Sequence, residues 1–471
     1  MTIEKTYLEL SDADAHKFYE VTTADCELTI RYGRIGDPGQ SKTTTYPTPE
    51  KAAAEAQKKI KEKQRKGYEA AVMGGRSKRT VTRRAVTSSP SSAKPSPLLW
   101  KFASGDSAFG IFIDDQRCWI GNQQGQVFAL DPQGVVITQY QLPEGVKCIV
   151  SDDRWLYAGC DDGNVYNLNT KIPHIAYEIE ESVDIYWLDI YDGTLAVSDA
   201  KGGLTVIDPE GETQWIRLSS GEAGWMVRSD RQGFYHGHQN GVTMYDPKGV
   251  VIWQQPTAGS VLFGWQETET IYAGTEGQKI HAFSKTGTVG AVYKCDAPVF
   301  SCATAAGGEY VFAGDSYSSI YCFNQQGDRL WKLGTGCGTA LSMQFWQERI
   351  YIVTSKGYLA CIDVSLGAIA AAQEGVLPKA VDLKAPTKGV VFSPATTLET
   401  TTDTSVGVMV ECFASGSKLR VRVISPGFNP EWKVQFPRQL RELGAKYMVE
   451  EIQPAAHGDF YRAFGEIKKL T

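Results

Sequence analysis

Gly125-Gln-Val-Phe-Ala-Leu-Asp131-Pro-Gln-Gly134 is a glycine-bearing turn, a strand-like run, and a polar residue that opens a second turn. The phrase recurs with its polar residue at Asn169, Asp208, Asp246, Ser284, Asn324 and Asp363, at spacings of 38, 39, 38, 38, 40 and 39 residues. A fixed period of this length, with several short strands per unit, marks a repeat array. Working outward, each unit has an upstream strand that ends in small residues, as in Trp119-Ile-Gly121, Tyr157-Ala-Gly159, Tyr272-Ala-Gly274 and Phe312-Ala-Gly314. Downstream, Trp215, Trp253 and Trp331 fall where an outermost strand would lie. Four short strands per unit without a helical period predict a mainly β fold, a β-propeller spanning residues 98–404.

Seven units are clear, and 376–434 offers a degenerate eighth, because Lys418-Leu-Arg-Val-Arg-Val-Ile-Ser425 and Trp432 echo the pattern. The expected blade count is therefore seven or eight. Leu98-Leu-Trp100-Lys-Phe102 resembles the Trp-bearing outer strands yet precedes the first full unit. That order predicts a ring closed by an N-terminal strand pairing into the last blade, which removes exposed sheet edges.

The 471 residues, 42% of them hydrophobic, allow roughly three domains with a sizeable core. No run approaches the roughly 18 apolar residues of a membrane span. Met1-Thr-Ile-Glu-Lys-Thr lacks the basic start and apolar run of a secretory signal, so the expected location is cytoplasmic. The ten cysteines are scattered singly, and Cys148, Cys302, Cys322 and Cys361 fall inside strands, where a reduced thiol packs as a small hydrophobe. His236 and His238 would share one strand face, which makes half a metal site without a third ligand.

Charge is unevenly divided. Residues 1–72 hold 12 basic and 12 acidic groups, residues 73–97 six basic and no acidic ones, residues 98–404 20 basic against 35 acidic, and residues 405–471 ten against seven. An acidic propeller repels a phosphate backbone, so nucleic-acid contact is expected at the ends of the chain.

In residues 1–72, Phe18-Tyr-Glu-Val-Thr and Glu27-Leu-Thr-Ile-Arg-Tyr32 alternate as half-buried antiparallel strands do, and Gly33, Gly36 and Gly39 punctuate a turn. Thr48-Pro49-Glu50 opens a helix with an N-cap, a first-turn proline and an acid at the positive dipole end. It is expected to run to about Lys66, with Ala52, Ala56 and Ile60 as its apolar stripe and lysines over the rest. Arg31-Tyr-Gly-Arg-Ile-Gly36, then Gly39-Gln40, Tyr46 and Lys66-Gly-Tyr68, resembles a WGR domain over residues 3–72. The resemblance implies contact with DNA ends through the motif's aromatic and arginine. Tyr32 replaces the eponymous tryptophan as a smaller platform, and Arg34 matches the motif's arginine. Arg31, Tyr32, Gly33, Arg34 and Lys42 are the candidate contacts, since a guanidinium forks onto phosphate and an exposed ring stacks on a base. The alternative reading is that Tyr32 and Arg34 stiffen the sheet and the lysines solvate a helix.

Residues 73–97 contain Met73-Gly-Gly-Arg-Ser-Lys-Arg, Arg83-Arg84 and a Ser/Pro run ending at Pro97, a composition that predicts a tether without a core. Arg76, Lys78, Arg79, Arg83 and Arg84 are its candidate phosphate contacts, against the alternative of a solubilising spacer.

The repeat units resemble those of pyrroloquinoline-quinone-like propellers over most of 98–373. Quinoprotein enzymes of that group carry an adjacent-cysteine disulfide and calcium ligands, and no two cysteines are adjacent here, so no cofactor is expected. The chain has no Gly-x-Ser-x-Gly, no Gly-x-x-x-x-Gly-Lys and no His-Glu-x-x-His. Asp161-Asp162 reads as turn chemistry. Trp187, Trp225 and Trp265, near the starts of their units, are candidate partner-binding residues at the channel mouth. Residues 405–471 read as a small α+β unit, with strands over 406–413, 418–425, 432–436, 446–452 and 460–468, a short helix from Pro437, and Arg438 and Arg441 as helix-surface neighbours. Together these features predict a non-enzymatic adaptor that binds nucleic acid through residues 1–97 and a protein through the propeller, without a membrane. Two rivals stand beside it: a protein scaffold without nucleic acid, and an enzyme or small-molecule binder with its site in the channel.

Overall fold

The recurring phrase is a repeated turn. In the computed structural model, the side-chain oxygen of Asp131 accepts from the amides of Gln133 and Val135 at 3.0 and 2.8 Å. Asp208, Asp246 and Asn324 do the same with the amides two and four residues on. Three residues after five of the seven polar residues (Asp131, Asp208, Asp246, Ser284 and Asn324) stands a glycine at positive φ, as at Gly249 (77°) and Gly287 (92°). A Cβ at Gly249 would lie 2.7 Å from the Trp215 ring, and one at Gly287 2.7 Å from Trp253, so these two glycines admit both the turn and the neighbouring indole. The indoles then reach across blades: Trp215 Nε1 donates to the Pro247 carbonyl at 3.0 Å and Trp253 Nε1 to the Lys285 carbonyl at 2.8 Å. Each such bond contributes about 1 kcal/mol net.

The structure describes residues 3–12, 15–34, 40–66, 68–70, 89, 98–152, 155–169, 173–179, 185–376, 381–383, 407–416, 418–455 and 459–470. Two compact units divide the chain, Met1–Val81 and Thr82–Thr471. The candidate linker contacts Arg76, Lys78, Arg79, Arg83 and Arg84 lie outside the described residues.

In the first unit, β1 (Ile3–Asp12), β2 (Ala15–Ala24), β3 (Glu27–Arg34), β4 (Gln40–Thr45) and β5 (Glu69–Ala70) form one antiparallel sheet in the order β4-β3-β2-β1-β5. Helix α1 (Pro49–Gln64) is capped by Thr48, whose hydroxyl accepts from the Lys51 amide at 3.3 Å. Its buried stripe of Ala52, Ala56 and Ile60 covers one face of the sheet, where Ala56 and Ile60 pack with Leu8, Tyr19, Val21 and Leu28.

The second unit contains seven four-stranded blades, at 108–141, 146–178, 185–218, 226–256, 261–294, 299–334 and 340–363. The seventh takes Leu98–Ala103 as its outer strand, paired antiparallel with Tyr358–Asp363, so the ring closes as its order in sequence implied. Val381–Leu383 adds a parallel strand outside it. Among the described residues the blade count is seven: the echo at 418–425 belongs instead to a closed barrel formed by Val408–Ser415, Lys418–Val423, Lys433–Gln435, Lys446–Pro454 and Phe460–Leu470. Arg438–Leu440, expected in a short helix, makes a single 3-10 turn.

The barrel is fastened to blades 2 and 3. Arg462, 1% exposed, pairs with Asp152, whose carboxylate also accepts from the Gly193 amide. Gln435 donates to the Tyr177 hydroxyl at 2.7 Å and accepts from the Tyr157 hydroxyl at 3.3 Å. Arg420 and Lys418 meet Glu210 and Glu212 at 3.0 and 3.5 Å.

Candidate nucleic-acid interface and propeller channel

Because side chains alternate along a strand, adjacent residues of the Arg31–Arg34 motif face opposite ways. Tyr32 stands in register with Tyr19 on the face that carries α1, and the two rings stack at 6.4 Å. Its ring is 44% exposed, and its hydroxyl donates to Gln40 Oε1 at 3.1 Å. Tyr68 meets Tyr19 edge-on at 6.4 Å, and the Lys63 ammonium lies 4.4 Å from the Tyr19 ring and 5.1 Å from that of Tyr68. Burial pulls the Lys63 ammonium below the usual lysine range, and the neighbouring charges of Lys66, Lys17 and Lys59 push the same way while Glu62 opposes them. The result is an aromatic platform with the Lys63 ammonium against it, while Lys59 and Lys66 pair with Glu62 at 3.9 and 3.0 Å.

Arg31 is committed elsewhere. On the opposite face, its Nε and Nη2 both donate to the Glu20 carboxylate at 3.2 Å, and its guanidinium lies 5.1 Å from the Phe18 ring centre. Glu20 is 6% exposed, so this fork organises the sheet. Gly33 pairs opposite Phe18, Arg34 closes β3 opposite Lys17, and Lys42 is exposed on β4 opposite Ile30. The candidate contacts do not include Lys63, Lys17, Tyr19 or Tyr68, although Tyr68 stands in the motif. Lys63 carried a signal, since it extends the stripe of Ala52, Ala56 and Ile60 by three residues and so turns toward the sheet.

In the ring, six inner strands shift register after their first residue, leaving Phe109, Lys147, Tyr186, Leu262, Phe300 and Leu341 as bulged second residues. A bulge re-aims its side chain, and here Phe109, Phe300, Leu341 and Leu262 pack together as one apolar cluster. Lys147 pairs with Asp161 at 3.2 Å. Trp225, just before the inner strand of blade 4, stacks on Tyr186 with ring centres 3.8 Å apart.

Trp187 and Trp265, on the inner strands of blades 3 and 5, both line a cavity of about 220 Å³. Trp187 is 7% exposed and edge-on to Phe263, and the Trp265 indole donates to Thr304 Oγ1 at 2.8 Å. Trp187 also lines a smaller cavity with Tyr186, on which Trp225 stacks, whereas Trp265 lines only the larger of the two.

His236 and His238 are fully buried and hydrogen-bonded, His236 to Ser198 and Ser219 at 2.9 and 2.7 Å and His238 to Thr243 at 2.9 Å. Burial pushes them down to about 3 and about 4, with the neighbouring His238 adding to the shift at His236. Among the described residues no cluster of three or more His, Cys, Asp or Glu could hold a metal, and no helix is long and apolar enough to cross a membrane.

Comparison with known proteins bears on the fold. The crystallised WD40 β-propeller domain of Doa1 matches with a TM-score of 0.50 at 12% identity, over 58% of this chain and 98% of that one, which shows a shared fold. The computationally designed Ika8 protein aligns at a TM-score of 0.46 and 11% identity, over 57% of this chain and 100% of that one. No curated protein matches. The WGR domain model matches residues 4–74, and the PQQ_2 model, described as outer membrane protein assembly factor BamB, matches residues 97–373. With more than half of its length so matched, the chain belongs to the PQQ_2 propeller family and carries a WGR domain at its N-terminal end.

Proposed function

We propose that this protein is a non-enzymatic adaptor whose WGR domain grips nucleic-acid ends while its acidic propeller engages a protein partner. The observation that carries the reading is the Tyr32 ring, exposed on one side, backed by Tyr19 on the other and flanked by Lys63 with Lys17, Lys59 and Lys66 in electrostatic range. A terminal base pair offers the π-face such a ring stacks on, and only an end presents it without unstacking a duplex. The adjacent cations answer the backbone phosphates. The propeller's 20 basic against 35 acidic residues repel the same polymer, which favours a protein for that surface.

The test is fluorescence anisotropy of the full chain with a blunt duplex and with a closed circle of the same sequence. Preference for the linear duplex is expected, and Tyr32→Ala should weaken end binding by roughly 1–3 kcal/mol, the usual worth of one base–aromatic stack. Tyr32→Trp should strengthen it. Lys63→Gln should weaken both substrates and flatten the salt dependence by about one phosphate contact. Equal affinity for circle and linear duplex, or an end preference unchanged in Tyr32→Ala, would refute end capture.

A further inference from the structure

Trp187 and Trp265 share their cavity with Arg228, Phe263, Gln266 and Gln344, contributed by blades 3, 4, 5 and 7. At about 220 Å³ it is smaller than the roughly 300–1,000 Å³ of drug-sized pockets, so its occupant is a small molecule or one inserted residue. Most of its polar groups are already spent on the fold. Gln344 donates to and accepts from the backbone of Ile113 at 3.2 and 3.0 Å, and Gln266 donates to the Ser229 carbonyl at 3.0 Å.

Arg228 differs. Its Nε and Nη2 both donate to the Gly264 carbonyl, at 2.8 and 2.6 Å, which fixes the guanidinium plane. The plane is held further by the rings of Phe263 and Trp265, whose centres lie 5.5 and 5.9 Å away. Among the described residues Nη1 has no hydrogen-bond partner. Asp189 also lines the cavity; its Oδ2 accepts from the amide and hydroxyl of Ser229 at 2.7 and 2.9 Å, and burial pushes its carboxyl up while the Arg228 charge offsets part of that rise. A guanidinium whose plane is fixed along one edge and whose Nη1 still has N–H groups to give is a preorganised donor to a carboxylate, and aromatic walls suit an apolar body.

We propose that this central cavity is a binding site for a small carboxylate on an apolar stem, held by Arg228 and enclosed by Trp187, Phe263 and Trp265. Such a group is found on free aromatic or branched acids and on the C-terminal residue of a polypeptide. The site differs from the nucleic-acid interface, so either reading can fail without the other.

The experiment titrates the full chain by calorimetry and tryptophan emission with phenylacetate, with neutral phenylacetamide, and with a short peptide ending in phenylalanine as the free acid or the amide. Binding is expected for the acids and at least about tenfold weaker for the amides, the minimum for losing one charge-assisted pair. Binding by phenylacetate supports a free small acid as sufficient, and binding by the free-acid peptide alone supports a partner's C-terminus. Arg228→Lys should lose about tenfold because a point charge does not reproduce the fork. Since Arg228 also neighbours Asp189, a second variant, Ile111→Trp, fills the cavity without touching the guanidinium and should abolish binding. Equal binding of acid and amide, or no binding by any of the four probes, overturns the proposal.

Discussion

Removing the Arg462 guanidinium tests how the barrel is held. The pair with Asp152 is buried on both sides, with side-chain exposures of 1% and 4%. A pair so enclosed is worth little more than an apolar replacement, but breaking one side leaves a charge stranded in low dielectric, at a cost of about 3–5 kcal/mol. Arg462→Met keeps the stem and removes the charge, and Asp152 is then left with the Gly193 amide alone. The other attachments do not reach Asp152: Gln435 bonds the Tyr157 and Tyr177 hydroxyls, and the Arg420–Glu210 and Lys418–Glu212 pairs are partly exposed and worth at most about 1 kcal/mol each. Adding Asp152→Asn should recover most of the loss, since the amide oxygen still accepts from Gly193 and no charge remains. Native-state hydrogen exchange at the Gly193 amide and in the barrel strands measures the opening free energy of all three variants. A loss under about 1 kcal/mol in Arg462→Met, the value of a surface pair, would refute the argument. So would strict additivity in the double variant.

Two further outcomes follow from burial. Unfolded histidines protonate near 6.5, whereas His236 and His238 are held to about 3 and about 4. Above pH 6.5 both states are neutral and nothing is lost; below it the unfolded chain takes up protons that the folded one refuses. Stability should therefore fall by about 1.4 kcal/mol per pH unit for each histidine between pH 6.5 and 5, and thermal melts showing no such decline, or the same decline in His236→Gln, would contradict it. The thiols give an independent check. Cys26 is half-buried and the other nine are buried, with burial pushing Cys118, Cys148 and Cys361 up to about 12. A thiol reagent at pH 8 should label Cys26 quickly in the native protein and all ten cysteines in denaturant, and rapid native labelling of several would count against this packing.

The repeat was legible because its signal is local. An aspartate that caps its own turn needs amides two and four residues on and a glycine at the third, so Asp131, Asp208 and Asp246 announce their positions from sequence alone. Asn169 holds the same place in the count but accepts from the Leu156 amide across the blade, so a matching residue can mark the period while doing different work. The spurious eighth unit failed for a related reason. Period-2 alternation at 418–423 says that a strand is half-buried, not which sheet takes it, and the partners that decided the matter include 408–415, paired beside it, and the barrel strands 446–454 and 460–470 that close the ring of pairing.

What stayed hidden is what arises between strands. Arg31 and Tyr32 are adjacent in the motif and were grouped for that reason, yet the pleat sends them to opposite faces, one into a fork with Glu20 and the other to solvent. The pleat rule alone could have separated them; the bulged residues could not be found that way. A bulge inserts one residue that breaks alternation, so Phe109, Phe300 and Leu341 look like ordinary strand hydrophobes until the register shift is seen. The cavity around Arg228 is further still from the sequence, since its walls come from six of the seven blades and no two walls from different blades are near neighbours in the chain. The proposed nucleic-acid interface is thus read from a local motif, while the proposed cavity site is assembled by ring closure. A variant that weakens the pairing of Leu98–Ala103 with Tyr358–Asp363 should therefore impair carboxylate binding in the channel while leaving capture of nucleic-acid ends intact.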